Sequence, residues 1–184
     1  RSYSVTGVQT CALPIFKPYF NRDWRHFCSH QHTPAEGHAS YPGVVQHGNC
    51  IYFMHPIFNQ YDSNAPLWCK RLVLNAIKRL LPDPLVEAQA PSSALFTLNE
   101  QVAENRLVLH ALHYVPERRG RAFDILEDQL PLYNTRLSIK ASRPVHSVKL
   151  APQGESLEFE QTDGRCVFVL PVIEGTQLVS LELA

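Results

Sequence analysis

The sequence predicts an α+β chain, with one α/β unit followed by a small antiparallel β-domain. Three observations predict it. The apolar and aromatic run Asn49 to Met54 precedes a stretch of helical spacing, Leu67 to Leu81, and strand followed by helix is an α/β unit. From about Pro91 to Ala184 the pattern changes to short alternating segments separated by turn residues, the signature of a sandwich or barrel. The acidic, Pro-containing stretch between them, Leu85 to Ser93, reads as a linker.

Residues 1–15 stand apart from the rest of the chain. Val5 to Ile15 (VTGVQTCALPI) reads as a translated sequencing-library adapter, which makes the chain a fragment cut at its 5′ end. The rival readings, a short β-strand with a turn at Gly7 or the end of a secretory signal, fit less well; a signal needs a basic start and an apolar core of about 7 to 15 residues. The expected organisation is therefore artefact over 1–15, part of an α/β domain over 16–85, linker over 86–93 and β-domain over 94–184.

Asn49 to Met54 follows the Gly48 turn and reads as a buried strand of a parallel sheet. His55 to Ala65 reads as loop. Pro66 suits a first helical position behind Asn64 or Ala65. Trp68, Leu72, Ile77 and Leu80, with Val73, Ala76 and Leu81, form the inner stripe of the helix, and Lys70, Arg71, Lys78 and Arg79 lie largely outside it. Basic residues near the end suit the helix dipole, and Pro82 with Pro84 stops the helix.

Seven strands are expected in the second half: Ala94 to Leu98, Arg106 to Val115, Thr135 to Ala141, Val145 to Leu150, Ser156 to Gln161, Arg165 to Leu170 and Gln177 to Leu183. Alternation marks Leu107, Leu109 and Ala111, then Leu137, Ile139 and Ala141, then Leu157 and Phe159 as inward-facing. In Thr162-Asp163-Gly164 the Asp-Gly pair tolerates positive φ, as a hairpin turn demands.

Composition excludes several function classes. The 17 basic and 17 acidic residues balance, and removing Arg1 with the first fifteen residues leaves 16 against 17. Such a chain does not point to a nucleic-acid partner. No apolar run approaches the roughly 20 residues of a membrane helix. Cys28, Cys50, Cys69 and Cys166 are widely spaced, without the Cys-x-x-Cys pair of a zinc ribbon. Each lies beside apolar or aromatic neighbours, so each reads as a free core residue in a reducing cytoplasm.

Histidines supply the candidate chemistry. His26, His30, His32 and His38 cluster, and in an extended chain His30 and His32 face one side. That is metal-ligand spacing, yet Asp23-Trp24-Arg25-His26 precedes the pair where a metal-dependent hydrolase has an apolar barrel strand, and no later ligand set is evident. The loop is also read as sugar-facing or subunit-facing, with His30, His32 and Trp24 offering hydrogen bonds and a flat apolar surface, or as plain structural loop. His55 ends the predicted strand, where open parallel sheets place ligands; a satisfied histidine at a strand end is the commoner outcome. The substrate-binding set expected is therefore Trp24, His30, His32 and His55, with no metal and no cofactor. Cys28 beside His26 or His30 lacks a third group to orient a base.

Other tempting groups carry less. Arg118-Arg119-Gly120-Arg121 lies between strands among Glu117 and Asp124, the composition of a solvated turn. His110 and His113 differ by three and should face opposite sides of a sheet. Glu127 and Asp128, being adjacent, should also diverge. Glycoside hydrolysis needs two carboxyls about 5 to 10 Å apart, and no such pair is evident.

Four stretches together have a family look: Tyr19 to Pro34 (YFNRDWRHFCSHQHTP), Gly48 to Asp62 (GNCIYFMHPIFNQYD), the helix ending Lys78-Arg79-Leu80-Leu81, and Asn105 to Gly120 (NRLVLHALHYVPERRG). They resemble the C-terminal region of large glycoside hydrolases that carry a β-galactosidase-type trimerisation domain, nearest the family 151 α-L-fucosidase-like group and more distantly family 42 β-galactosidases. Leu126 to Leu132, Val148 to Pro152 and Gln177 to Leu183 share the same pattern, so the resemblance covers Phe16 to Ala184.

The resemblance implies an incomplete flavodoxin-like, glutamine-amidotransferase-like α/β segment followed by a small antiparallel β-sandwich. It places the acid/base and nucleophile carboxylates on an upstream (β/α)₈ barrel for which this chain has no room, so no catalytic residue is carried over. Self-association into a homotrimer or other homo-oligomer is implied, with a carbohydrate substrate near the subunit boundary. The expected function is noncatalytic oligomerisation and scaffolding within an exoglycosidase. The alternative is a stand-alone carbohydrate-binding β-sandwich or a metal-dependent hydrolase built on the histidine loop.

Overall fold

The structure, a computed structural model, describes residues 41–184 throughout and, ahead of them, the backbone of 10–12, 15–16 and 37–38. The chain divides into two compact units, Arg1–Asp83 and Pro84–Ala184.

In the first unit β1 (Thr10–Ala12) pairs antiparallel with β4 (Val44–His47), and β4 with β5 (Cys50–Phe53). β2 (Ile15–Phe16) and β3 (Gly37–His38) form a separate antiparallel pair. The parallel-sheet reading of Asn49 to Met54 is corrected by this pairing. His47 lies opposite Cys50, so Gly48 and Asn49 are the two-residue loop of a tight hairpin. Gly48 takes φ 55 there, the positive dihedral that hairpin turns require and glycine supplies cheaply. β5 is only half-buried on one face, and Tyr52 stays 62% exposed.

The expected loop between β5 and the predicted helix is also corrected. Ile57–Asn64 forms helix α1, which places Ile57 in the interior and ends at Ala65 in the left-handed conformation, φ 46. Its sequence, IFNQYDSN, has neither a side-chain cap nor a sustained apolar stripe, so the usual helix signals are missing. Helix α2 (Leu67–Leu80) is where the spacing predicts it, with Pro66 just ahead and Lys78 and Arg79 in the last turn. The Arg79 guanidinium hydrogen-bonds the Gln46 side chain of β4.

The predicted inner stripe of α2 is only partly inner. Cys69 is the buried residue of the helix, flanked by half-buried Leu72, Val73 and Ala76, while Trp68 is 52% exposed and Leu74, Ile77 and Leu80 are exposed with it. The helix is apolar on more of its circumference than the described residues of this unit cover.

The second unit is a two-sheet sandwich. Its strands are β6 (Val86–Ala88), β7 (Ala94–Gln101), β8 (Arg106–His113), the short hairpin β9 (Glu117–Arg118) and β10 (Asp124–Ile125), β11 (Leu132–Lys140), β12 (Val145–Ala151), β13 (Ser156–Leu157), β14 (Phe159–Thr162), β15 (Arg165–Ile173) and β16 (Gly175–Leu183). One sheet runs β14-β15-β11-β6 and the other β13-β12-β16-β8-β7. Their pairings are antiparallel throughout.

Each of the seven expected strands is present, and one is divided. Ser156 to Gln161 breaks at Glu158, so Ser156–Leu157 joins the five-stranded sheet and Phe159–Thr162 the four-stranded one. Val86–Ala88, within the expected linker, pairs with Leu137–Ile139 and is an edge strand of the sandwich. Three residues with one half-buried valine give little periodicity to read.

The core lies between the sheets. Leu107, Leu109 and Ala111 of β8, Val148 of β12 and Val179 and Leu181 of β16 meet Leu137 and Ile139 of β11 and Cys166, Phe168 and Leu170 of β15. These are alternate residues on their strands, which is how a sandwich buries one face of each sheet. Asp163 (φ 52) and Gly164 (φ 74) close the β14–β15 hairpin, both in the left-handed region that a two-residue primed turn needs.

Candidate functional site

Trp24, His30 and His32 lie outside the described residues, as do His26 and Cys28. His55 lies just beyond the end of β5, exposed, with its ring 6.2 Å from that of Tyr41 at an interplanar angle of 48°. The antiparallel pairing of β5 removes the argument that its position at a parallel-sheet edge marks a ligand site. Among the described residues no three His, Cys, Asp or Glu side chains gather as a metal site would require.

The basic run of the sequence is a self-paired hairpin. Arg118 pairs with Asp124, its partner in register across β9 and β10, and Arg119 bridges Glu117 and Glu127. The Phe123 ring covers Gly120, where a Cβ would stand 2.3 Å from it. Arginines already held by carboxylates have little left for a phosphate.

His110 and His113 do face opposite ways. His113 shares the inward face of β8 with Leu107, Leu109 and Ala111, and is 4% exposed. Both of its ring nitrogens are engaged: Nδ1 is 2.8 Å from the Leu130 carbonyl oxygen, and Nε2 is 3.1 Å from Ser93 Oγ. A carbonyl only accepts, so Nδ1 carries the proton and Nε2 accepts from the serine hydroxyl.

Three elements converge there. Ser93 is the third residue of the turn Pro91 to Ala94, closed by the Ala94 N–H donating to the Pro91 carbonyl at 3.0 Å. Ala94 and Gly175 are the register partners of His113 on either side. Gly175, at φ 73, leaves the Tyr114 hydroxyl 2.8 Å and the Gln129 amide 3.2 Å from the place a Cβ would take. Alternation along β8 marks His113 as inward-facing and in need of partners, but the partners themselves are 17 and 20 residues away in sequence. Sequence reasoning misses this cluster for that reason.

A cleft of about 240 Å³ opens elsewhere in the second unit, lined by Leu85, Leu98, Glu100, Leu107, Lys140 and Ser142. Cys166 is fully buried in the core, and burial pushes its thiol up to about 11. It is a packing residue, since the thiolate is the reactive form.

An antiparallel hairpin with two helices, accompanied by a two-sheet β-sandwich, defines an α+β chain. The structure is similar to α-L-fucosidase isoenzyme 2 from Paenibacillus thiaminolyticus, with a TM-score of 0.80 and 35% sequence identity over 91% of this chain. The chain spans 26% of that protein's length. The resemblance carried by the motifs of Tyr19 to Gly120 is thereby borne out. No protein-family model matches the chain, and no curated protein does.

Proposed function

We propose that this chain is the oligomerisation and scaffold portion of a glycoside hydrolase of the α-L-fucosidase or β-galactosidase-like kind, noncatalytic toward glycosidic bonds, whose catalytic barrel lies outside it. The observation that carries the reading is the likeness to about a quarter of an α-L-fucosidase, 26% of its length. Surface chemistry supports it. Tyr52, Phe58, Leu67, Trp68, Leu74, Ile77 and Leu81 of the first unit are all exposed, and large exposed apolar patches mark interaction surfaces.

Subunit contacts through this apolar surface assemble a homotrimer or other homo-oligomer. Trp24, His30, His32 and His55 contribute one wall of the sugar pocket near the subunit boundary, with no metal or cofactor. No helix among the described residues is long and apolar enough to cross a membrane, and the proposed location is the cytoplasm.

The test is light scattering of the purified chain after size exclusion, with an activity screen on nitrophenyl α-L-fucoside and β-galactoside. Concentration-dependent self-association, weakened by Leu74→Glu with Ile77→Glu, and no turnover are expected. A monomer at every concentration, glycoside turnover or stoichiometric zinc would overturn the reading, the last two in favour of a self-contained hydrolase.

A further inference from the structure

We propose that Ser93 is an activated nucleophile toward short-chain acyl esters, with His113 as its general base and the Leu130 carbonyl as the group that orients the base. Nucleophilic serine chemistry needs three things in a chain: a hydroxyl within hydrogen-bond reach of an imidazole, the imidazole in the tautomer that accepts, and a third group holding that tautomer. All three are present. Ser93 Oγ is 3.1 Å from Nε2, and the Leu130 carbonyl, 2.8 Å from Nδ1, keeps the other nitrogen protonated.

Burial divides the roles. His113 is inside, whereas Ser93 is half-buried on a turn at the surface. An ester carbonyl can approach the oxygen while the base stays shielded from water. A neutral carbonyl in place of a carboxylate stabilises an imidazolium less, so the chemistry is slow and suits reactive esters.

In the first step Ser93 Oγ bonds to the acyl carbon while its proton passes to His113 Nε2. The bond to the leaving alcohol then breaks, and the imidazolium returns that proton to the alcohol oxygen. Water then attacks the Ser93 ester, giving a proton to Nε2; as the bond from the acyl carbon to Oγ breaks, the imidazolium returns that proton to Oγ, which releases the carboxylic acid and restores both the serine hydroxyl and the neutral base. No oxidant or metal enters the balance.

The test uses the whole chain with an alkyl fluorophosphonate and 4-nitrophenyl acetate. A phosphonyl adduct on the peptide holding Ser93 is expected, with a nitrophenol burst that Ser93→Ala abolishes. His113→Gln should lower the labelling rate by about 100-fold or more, the usual contribution of a general base. Should His113→Gln fail to fold, Ser93→Cys serves instead, and its new thiol should react with iodoacetamide faster than exposed Cys50 in the same chain. A folded chain that takes no adduct at Ser93, labelling indifferent to His113, or a substituted thiol no faster than Cys50 would each overturn the proposal and leave the trio a structural cross-tie.

Discussion

Gln161 completes the pairing of a strand in the opposite sheet. From β14 its amide donates to the Val145 carbonyl at 2.7 Å, and its carbonyl accepts from the Val145 N–H at 2.8 Å. The two bonds occupy both backbone groups at the start of β12, next to the irregular register between Val145 and Ser147. Gln161→Ala should cost about 1 to 2 kcal/mol, the sum of two ordinary hydrogen bonds, read as a lower urea midpoint. Cys166 gives a pH-dependent counterpart. Its folded thiol is raised to about 11 from an ordinary 9.0, so the neutral form is favoured by folding. That stability is fully present below pH 9 and is lost as pH rises from there through 11, because the unfolded chain sheds the proton first. Against the wild type, Cys166→Ala should flatten the fall in stability over that window. Only part of this is legible in the residues themselves. The apolar neighbours Val167 and Phe168 mark Cys166 as a core residue, but a glutamine that pairs with a backbone 16 residues away leaves no periodic trace.

Turn chemistry decides how well the elements can be read. Asp163-Gly164 is legible because only residues tolerant of positive φ close a two-residue hairpin, and both are in that region, at 52 and 74. Gly164→Val should cost about 1 to 2 kcal/mol, the left-handed penalty for a residue with a Cβ, measured by thermal unfolding with the sheet spectrum unchanged. Gly48-Asn49 carries the same kind of signal, yet the run after it has the composition of a parallel strand. Aromatic and apolar residues at Ile51, Tyr52 and Phe53 imitate a strand buried on both faces, whereas Tyr52 faces out and its partner is the neighbouring hairpin arm. The break at Glu158 is invisible for another reason. Leu157 and Phe159 keep the alternation on both sides of it, so a strand that changes sheets has the sequence of one that does not.

The two units differ in how much each can stand alone. The buried cluster of the second unit comes entirely from residues 107–183, both sheets included, so residues 84–184 expressed alone should unfold cooperatively with a β-type spectrum. The first unit buries Ile57 and Cys69 among its described apolar residues and exposes a much larger set. Residues 16–83 alone should bind a hydrophobic dye and aggregate, as unpaired edges and apolar surface predict; a monodisperse, dye-silent product would contradict this.

Sequence alone determined the α+β order, the position of α2, the seven strands of the sandwich and the alternating residues of three of them, since these rest on periodicities of about 3.6 and 2 within a few neighbours. It also carried the likeness to an α-L-fucosidase, through motifs of consecutive residues. Only the tertiary structure decided which strands pair, that Phe159–Thr162 leaves the sheet of Ser156–Leu157, and that Ser93, His113 and the Leu130 carbonyl meet. Those outcomes depend on contacts between segments far apart in the chain, whose hydrogen bonds and packing have no local periodicity to announce them.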